Sequence, residues 1–445
     1  MKPQRPTTSV IAILAAFLAL AACGPQRTAP RAQPEPEAEP SRLAPVAWDS
    51  ASVPDSIATW AIRGCRRGGV NQRRDCVERG LRTVLDAAGI AKAMAALDRI
   101  VERDTSLLPE AHGLAHGLGI AAYRSPETVA ETFAQCPDTQ IAGCYHGVIQ
   151  GYFLDVQRRE GRLSAEALNA LCEPHRARGN PMFGECSHGM GHGIMAVVDY
   201  RLPDALAACD SVRDPYARLG CQGGAFMENI VSATHPEHTA HSHAALGEGE
   251  HGGHAAHGGG EGHGDHAAGD GAAREPWKAV DRSDPLYPCN AVAHQYRYAC
   301  YGIQTSAILF FNGGDFPATA KACEGAGNTL VEVCWRSLGR DITAYARRDP
   351  ARSAQMCATA GEKAEPHCVS GAATALVDVE SDPEDGFALC RVVTRPESKT
   401  ECYQAVGRMV GFASEPARRE EACATVEAGY VETCRLAASL PARKT

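Results

Sequence analysis

The chain has 445 residues, with 53 acidic against 44 basic side chains, a net charge of −9, a pI near 6.0 and no long basic stripe. That balance argues against a nucleic-acid role, because such proteins cluster Lys and Arg against the phosphates. Aromatic residues make up only 6% of a chain that holds 44 glycines, a composition suited to closely packed helices of small residues.

At the N-terminus, Lys2 and Arg5 precede an apolar run from Val10 to Leu20 that ends in Leu20-Ala21-Ala22-Cys23-Gly24. A run of about eleven apolar residues is too short to span a bilayer as a stable helix. Leu-Ala-Ala-Cys resembles the lipobox of bacterial lipoproteins. The resemblance implies a signal peptide over 1–22, acylation of Cys23 and a lipid anchor in the membrane of the cell envelope. Gly24 in place of Asp implies outer-membrane sorting, facing the periplasm or the cell surface, where the host has two membranes. Residues 23–47 hold Pro25, Pro30, Pro34, Pro36, Pro40 and Pro45 among polar residues and read as an extended tether.

The folded body is expected to begin near Trp48. A helical hairpin is predicted over 48–109, carried by Cys76-Val-Glu-Arg-Gly-Leu81 and Ala93-Met94-Ala-Ala-Leu97. His-bearing repeats follow over 110–231, a His-rich insert over 232–275 and C-terminal helical repeats over 276–445. Of the 19 cysteines, Cys23 apart, the remaining 18 form nine neighbouring pairs. These are Cys65 with Cys76, Cys136 with Cys144, Cys172 with Cys186, Cys209 with Cys221, Cys289 with Cys300, Cys323 with Cys334, Cys357 with Cys368, Cys390 with Cys402 and Cys423 with Cys434. No C-x-x-C occurs, so thiolate zinc, thioredoxin-type redox and c-type haem lack their usual signatures, and disulfides are the expected use in an exported chain.

From Cys136 onward the first members follow one another at 36, 37, 80, 34, 34, 33 and 33 residues, the 80 being one unit plus the insert. Helical-hairpin solenoids show such a period. Ser125-Pro126, Asp349-Pro350 and Asp382-Pro383 predict short helices, with an N-cap residue followed by Pro at the first helical position, where its missing N–H costs nothing. Each short helix is expected to end at the first Cys. The second Cys, after a loop of about ten residues, is expected to open the next long helix, as in Cys368 to Val377. The fold class is therefore all-α, tandem αα-hairpins of about 33–37 residues braced by disulfides, as an open solenoid or a closed α/α ring. In period and Cys placement, residues 110–445 resemble tetratricopeptide-like, cysteine-rich helical repeat proteins of bacteria. The resemblance implies a helical scaffold and nothing about activity.

Within this array one figure returns three times: Glu110-Ala-His112-Gly113-Leu-Ala-His116-Gly117, Cys144-Tyr-His146-Gly147-Val-Ile-Gln150-Gly151 and Cys186-Ser-His188-Gly189-Met-Gly-His192-Gly193. Residues four apart share one helix face, so five histidines and Gln150 are expected to line one surface. With each second Cys as position one, and Glu110 in its place in the first unit, positions three and seven read as these pairs. Further along they become Gly223 and Met227, Gly302 and Ser306, Arg336 and Arg340, Ser370 and Thr374, and Gln404 and Arg408.

Paired imidazoles on neighbouring helices suit a divalent transition metal such as zinc, copper, nickel or iron. The predicted ligands are His112, His116, His188 and His192, with His146 as a fifth ligand or a supporting group. Glu228, Glu110 and Asp155 are carboxylates placed to orient a ligand, and Glu228 is the candidate base. His175, His294 and His367 read as structural. No H-E-x-x-H is present, which argues against a zincin.

The insert adds His235, His238, His241, His243, His251, His254, His257, His263 and His266 among Gly, Ala, Glu and Asp. Such a tract cannot build a core, and it suits loose binding of several ions. Arg336, Arg340 and Arg408 suit an anionic substrate or simply a solvated face. Three functions fit: a metal-binding scaffold of the cell envelope, a metal-dependent hydrolase or oxidoreductase, and a repeat adaptor for another envelope protein.

Overall fold

Proline and aspartate decide where most of the helices begin. In the computed structural model, which describes residues 43–137, 139–140, 142–177, 179–235, 277–380 and 382–442, the side chain of Asp214 accepts hydrogen bonds from the Tyr216 and Ala217 amides. Asp315, Asp349 and Asp382 cap in the same way, each followed within two residues by Pro. Each such cap contributes about 1 kcal/mol, and Pro pre-sets the helical φ behind it. The signal segment, Cys23, most of the tether and His238 to His266 lie outside the described residues.

The N-terminal part folds as α1 (Pro54–Gly64), α2 (Val70–Ala88), α3 (Ile90–Arg103) and α4 (Ala111–Ala122). Short helices then alternate with long ones: α5 (Val129–Gln135) precedes α6 (Gly143–Glu160), α7 (Ala165–Leu171) and α8 (Glu173–Arg176) precede α9 (Asn180–Val197), and α10 (Leu202–Cys209) precedes α11 (Pro215–Thr234). Beyond the insert, α12 (His294–Tyr301) and α13 (Thr305–Asn312) replace one long helix. The alternation resumes with α14 (Phe316–Cys323) and α15 (Leu330–Tyr345), α16 (Pro350–Ala358) and α17 (Glu365–Glu380), α18 (Pro383–Val392) and α19 (Pro396–Ala413), and α20 (Pro416–Ala424) and α21 (Val431–Ala437). The described residues contain no β-strand, so the all-α expectation holds. None of their helices is long and apolar enough to cross a membrane.

Nine disulfides join the cysteines that the spacing pairs. They are Cys65–Cys76, Cys136–Cys144, Cys172–Cys186, Cys209–Cys221, Cys289–Cys300, Cys323–Cys334, Cys357–Cys368, Cys390–Cys402 and Cys423–Cys434. Each closes a loop of 8 to 14 residues, and in the chain-entropy model such a loop contributes about 2–3 kcal/mol.

The first Cys of a pair stands close to the end of a short helix. Cys65, Cys136 and Cys172 follow directly on α1, α5 and α7, and Cys209 and Cys323 are the last residues of α10 and α14. Cys357, Cys390 and Cys423 lie in the last turn of α16, α18 and α20. Cys289 departs from the pattern and sits in a turn ahead of α12.

The second Cys requires a correction, because it does not open its helix. Cys76, Cys186, Cys221, Cys300 and Cys402 each lie six residues beyond the first residue of theirs, at Val70, Asn180, Pro215, His294 and Pro396. Cys334, Cys368 and Cys434 lie about one turn inside α15, α17 and α21, and Cys144 alone stands at a helix start, second in α6. Pro181, Pro215 and Pro396 start three of these helices earlier than the cysteine spacing suggests.

The long helices pack side by side through glycine. A Cβ on Gly147 would stand 2.0 Å from the His116 carbonyl oxygen, on Gly224 1.9 Å from that of His188, and on Gly371 1.9 Å from that of Arg336. A methyl group at any of these places would force two backbones apart. The same crossing therefore recurs from unit to unit and fixes the register of neighbouring helices. Around it the core is filled by Phe153, Phe226, Phe387 and Tyr403, all fully buried.

The array turns back on itself. Asn180 at the start of α9 donates from Nδ2 to the Phe412 carbonyl at 3.2 Å, and Tyr216 lies 5.7 Å from the Phe412 ring. The helix Pro396–Ala413 thus returns against the start of α9, with further helices before the one and after the other.

Candidate metal centre

The glycine crossings place the histidines, and they correct the sequence register. Gly224 meets the carbonyl of His188, and Gly371 that of Arg336; both partners stand two residues after a cysteine. By the same contact Gly147 meets His116, not His112. The first copy of the figure is thus shifted by one helical turn, with Leu114 standing where later units have Cys. His116 is the equivalent of His146 and His188, and His112 sits one turn earlier. This first unit has no disulfide on α4, and Glu110 was a misleading anchor. Glu110 instead lies 3.6 Å from Arg74, within the N-terminal helices.

From this register follows the ring geometry. His146 on α6 is central: its ring stacks on His192 with centroids 4.6 Å apart and planes 16° from parallel, and it lies 5.1 Å from His188 and 5.8 Å from His112. His192 and His188, one turn apart on α9, are 5.1 Å from each other. His116 flanks the group, 6.0 Å from His192. The ligand nitrogens of His146, His188 and His192 all lie within 4.8 Å of one another, so these three side chains can hold a metal ion. Bound to one zinc at about 2.1 Å, two nitrogens of a tetrahedral set are about 3.4 Å apart, a distance that small ring rotations reach.

The trio differs from the expected set. His146, expected as a fifth ligand, is at the centre, while His112 turns its Nδ1 to the Gln140 carbonyl at 3.0 Å and His116 stands at the edge. Neither belongs to the close group.

Burial and hydrogen bonding set the protonation state. His146 is 2% and His192 1% exposed. Burial pushes the His146 imidazole well below the ordinary histidine range, and His192 adds to the effect. His188 is lowered likewise, first by burial, then by the two neighbouring rings and by Arg340. His192 is pushed down to about 3 by burial, with His112 contributing. All three are therefore neutral at pH 7, the form that binds metal.

Glu228 on α11 fixes which nitrogen of His192 is the donor. Its Oε2 lies 2.7 Å from Nδ1, so the neutral ring carries its proton there and donates it to the carboxylate. The lone pair is left on Nε2, which is buried without a hydrogen-bond partner and faces the cluster. A carboxylate holding the far nitrogen of a ligating histidine orients the ring and raises its basicity. The role expected for Glu228 as an orienting group thus has a geometric basis; a role as base would compete with this bond.

Further buried polar atoms collect nearby. Both nitrogens of His146 and both side-chain heteroatoms of Gln150, which is fully buried one turn along α6, lack hydrogen-bond partners. A buried polar atom left unsatisfied costs about 1–3 kcal/mol, and these four lie one turn apart on the face of α6 that meets the cluster. Asp155, by contrast, accepts from Tyr123 Oη at 2.9 Å and pairs with Arg158 and Arg159, outside the cluster.

Sequence reasoning missed Glu185. Its Oε2 lies 3.4 Å from His146 Nε2, and its side chain is 29% exposed at the mouth of the cluster. The signal was available: Glu185 precedes His188 by three residues and so lies one turn away on the same helix. The histidines read as structural lie elsewhere. His175 packs on Phe133 at 4.3 Å, His367 stacks on Trp335 at 5.7 Å, and His294 opens α12 at the surface. His235, the described member of the insert tract, bonds to Thr234 and packs on Phe310.

No known protein family, curated protein or solved structure matches this chain.

Proposed function

We propose that the chain is an envelope-anchored helical-repeat lipoprotein that binds one divalent transition metal ion in the ordered His146, His188 and His192 site. The nine histidines of the 235–266 tract supply further, looser sites. One observation carries this reading: three neutral imidazoles, His146 and His192 buried and His188 half-buried, converge within 4.8 Å, and one of them is oriented by a carboxylate. Borderline-soft imidazole ligands suit zinc, copper, nickel or iron.

A second reading, a metal-dependent enzyme, is favoured by a separate feature. Three protein ligands leave a coordination position for water, and Glu185 stands beside them at the mouth. In that case Glu185, and not Glu228, is the nearer group for proton transfer.

Elemental analysis of the purified full chain tests the first reading. Deletion of residues 236–276 is expected to leave about one ion per chain, and adding His146→Ala and His188→Ala to the deletion is expected to remove it while the far-ultraviolet helical spectrum persists. If the deletion alone removes all metal, the ordered site is not a metal site.

A further inference from the structure

Beyond the metal reading, and independent of it, the C-terminal repeats carry a second candidate site. The inner faces of α15, α17, α19 and α21 form a groove of two cavities, of about 460 and 480 Å³, that meet at Gln404 and Arg408. The positions that hold imidazoles on α6 and α9 here hold Arg336, Ser370, Thr374, Gln404 and Arg408.

Two guanidinium groups in this groove have donors to offer. Arg336 has Glu332 at 3.8 Å, beyond hydrogen-bond reach, and Arg408 donates to Ser370 Oγ at 3.3 Å. Two neighbouring arginines are fully engaged. Arg340 donates to the Gly302 carbonyl, to Ser306 and to Asp341, and Arg395 meets Glu362, Glu365 and Glu397. A guanidinium with its fork open suits a carboxylate.

The groove is not simply cationic. Glu332 and Glu401 line the first cavity and Glu432 the second. A plain anion would meet these carboxylates as well as the arginines, whereas a ligand bearing both charges satisfies both. Apolar surface lies at each end, with Tyr298 53% and Leu436 57% exposed.

We infer that this groove binds a zwitterionic small molecule of the amino-acid class, its carboxylate on Arg336 and Arg408, its ammonium on the Glu401 side and its apolar part toward Leu436. Ligands of this class also chelate metals, so the test uses the full chain freed of metal with EDTA. Calorimetric titration compares L-leucine, N-acetyl-L-leucine, L-leucinamide and inorganic phosphate.

L-leucine is expected to bind about tenfold more tightly than either capped form, the loss of one charge-assisted contact. Arg408→Ala, at an exposed position, is expected to weaken L-leucine about tenfold. Glu401→Gln is expected to weaken L-leucine and leave N-acetyl-L-leucine unchanged. Equal binding of all three leucine forms, binding of phosphate as tight as L-leucine, or no binding of L-leucine at millimolar concentration would each overturn the inference. Loss of the metal site through His146→Ala and His188→Ala leaves the expected leucine result as it stands.

Discussion

Replacing Glu228 by Gln separates the orientation of a ligand from the stability of the fold. The carboxylate is 2% exposed and accepts from His192 Nδ1 at 2.7 Å. Glutamine has the same shape, and its amide oxygen can accept the same hydrogen bond, so packing is preserved. What changes is charge: the imidazole loses the anion that makes its Nε2 more basic and that offsets the incoming cation. Removing such a supporting carboxylate typically costs about 10–100-fold in metal affinity, or about 1.4–2.7 kcal/mol. Competition titration with zinc or cobalt against a chelator of known affinity measures this, on chains lacking residues 236–276 so that the loop histidines do not report. The metal-free variant is expected to melt within a few degrees of the parent, because a buried charge has been removed without opening a cavity. Metal affinity within about twofold of the parent would refute the argument that Glu228 acts on a ligand.

The metal-free protein is expected to lose stability as pH falls below about 6.5. His146, His188 and His192 are held neutral in the folded state and take up protons at their ordinary pKa once unfolded, so stability is fully present above 6.5. It then falls by about 1.4 kcal/mol per pH unit for each of them on the way toward the folded value, which for His192 is about 3. Denaturant titrations at pH 7, 6 and 5 read this slope, and a flat profile would show that the imidazoles are protonated in the fold. Gly224→Ala is expected to destabilise by about 1–3 kcal/mol and to weaken metal binding, since its Cβ would stand 1.9 Å from the His188 carbonyl. Gly223→Ala, whose Cβ meets nothing nearer than His188 Nδ1 at 3.6 Å, is expected to be neutral or to stabilise by up to about 1 kcal/mol, so equal melting of the two variants would remove the glycine crossing as the cause.

The scaffold was legible because cysteine spacing records it directly: two thiols that must meet across a hairpin junction leave a fixed interval in the chain. Helix starts were less legible, because Pro215 and Pro396 begin their helices ahead of the cysteines that seemed to open them. The candidate site was half legible. A His-Gly figure repeated three times marked the right surface, but a one-turn shift in the first copy exchanged the roles of His116 and His112. Register between neighbouring helices is set by which glycine meets which carbonyl, and the sequence shows the glycines without their partners. Glu185 shares a helix face with His188, but its partner His146 stands on the neighbouring helix, and that meeting depends on the inter-helix register.

Charge accounts for the change in character from the imidazole-bearing helices to the later repeats. A divalent ion held by these three imidazoles would bring two positive charges into a partly buried site, and such charge is costly without nearby anions. Glu228 lies 2.7 Å from the His192 ring and Glu185 3.4 Å from the His146 ring, so two carboxylates would offset the charge of a bound cation. Arg340 acts against this balance, since its charge already helps to hold His188 neutral. Its guanidinium is tied to Asp341 at 2.6 Å, which confines the repulsion. Arg336 and Arg408 lie instead in the groove of the later repeats.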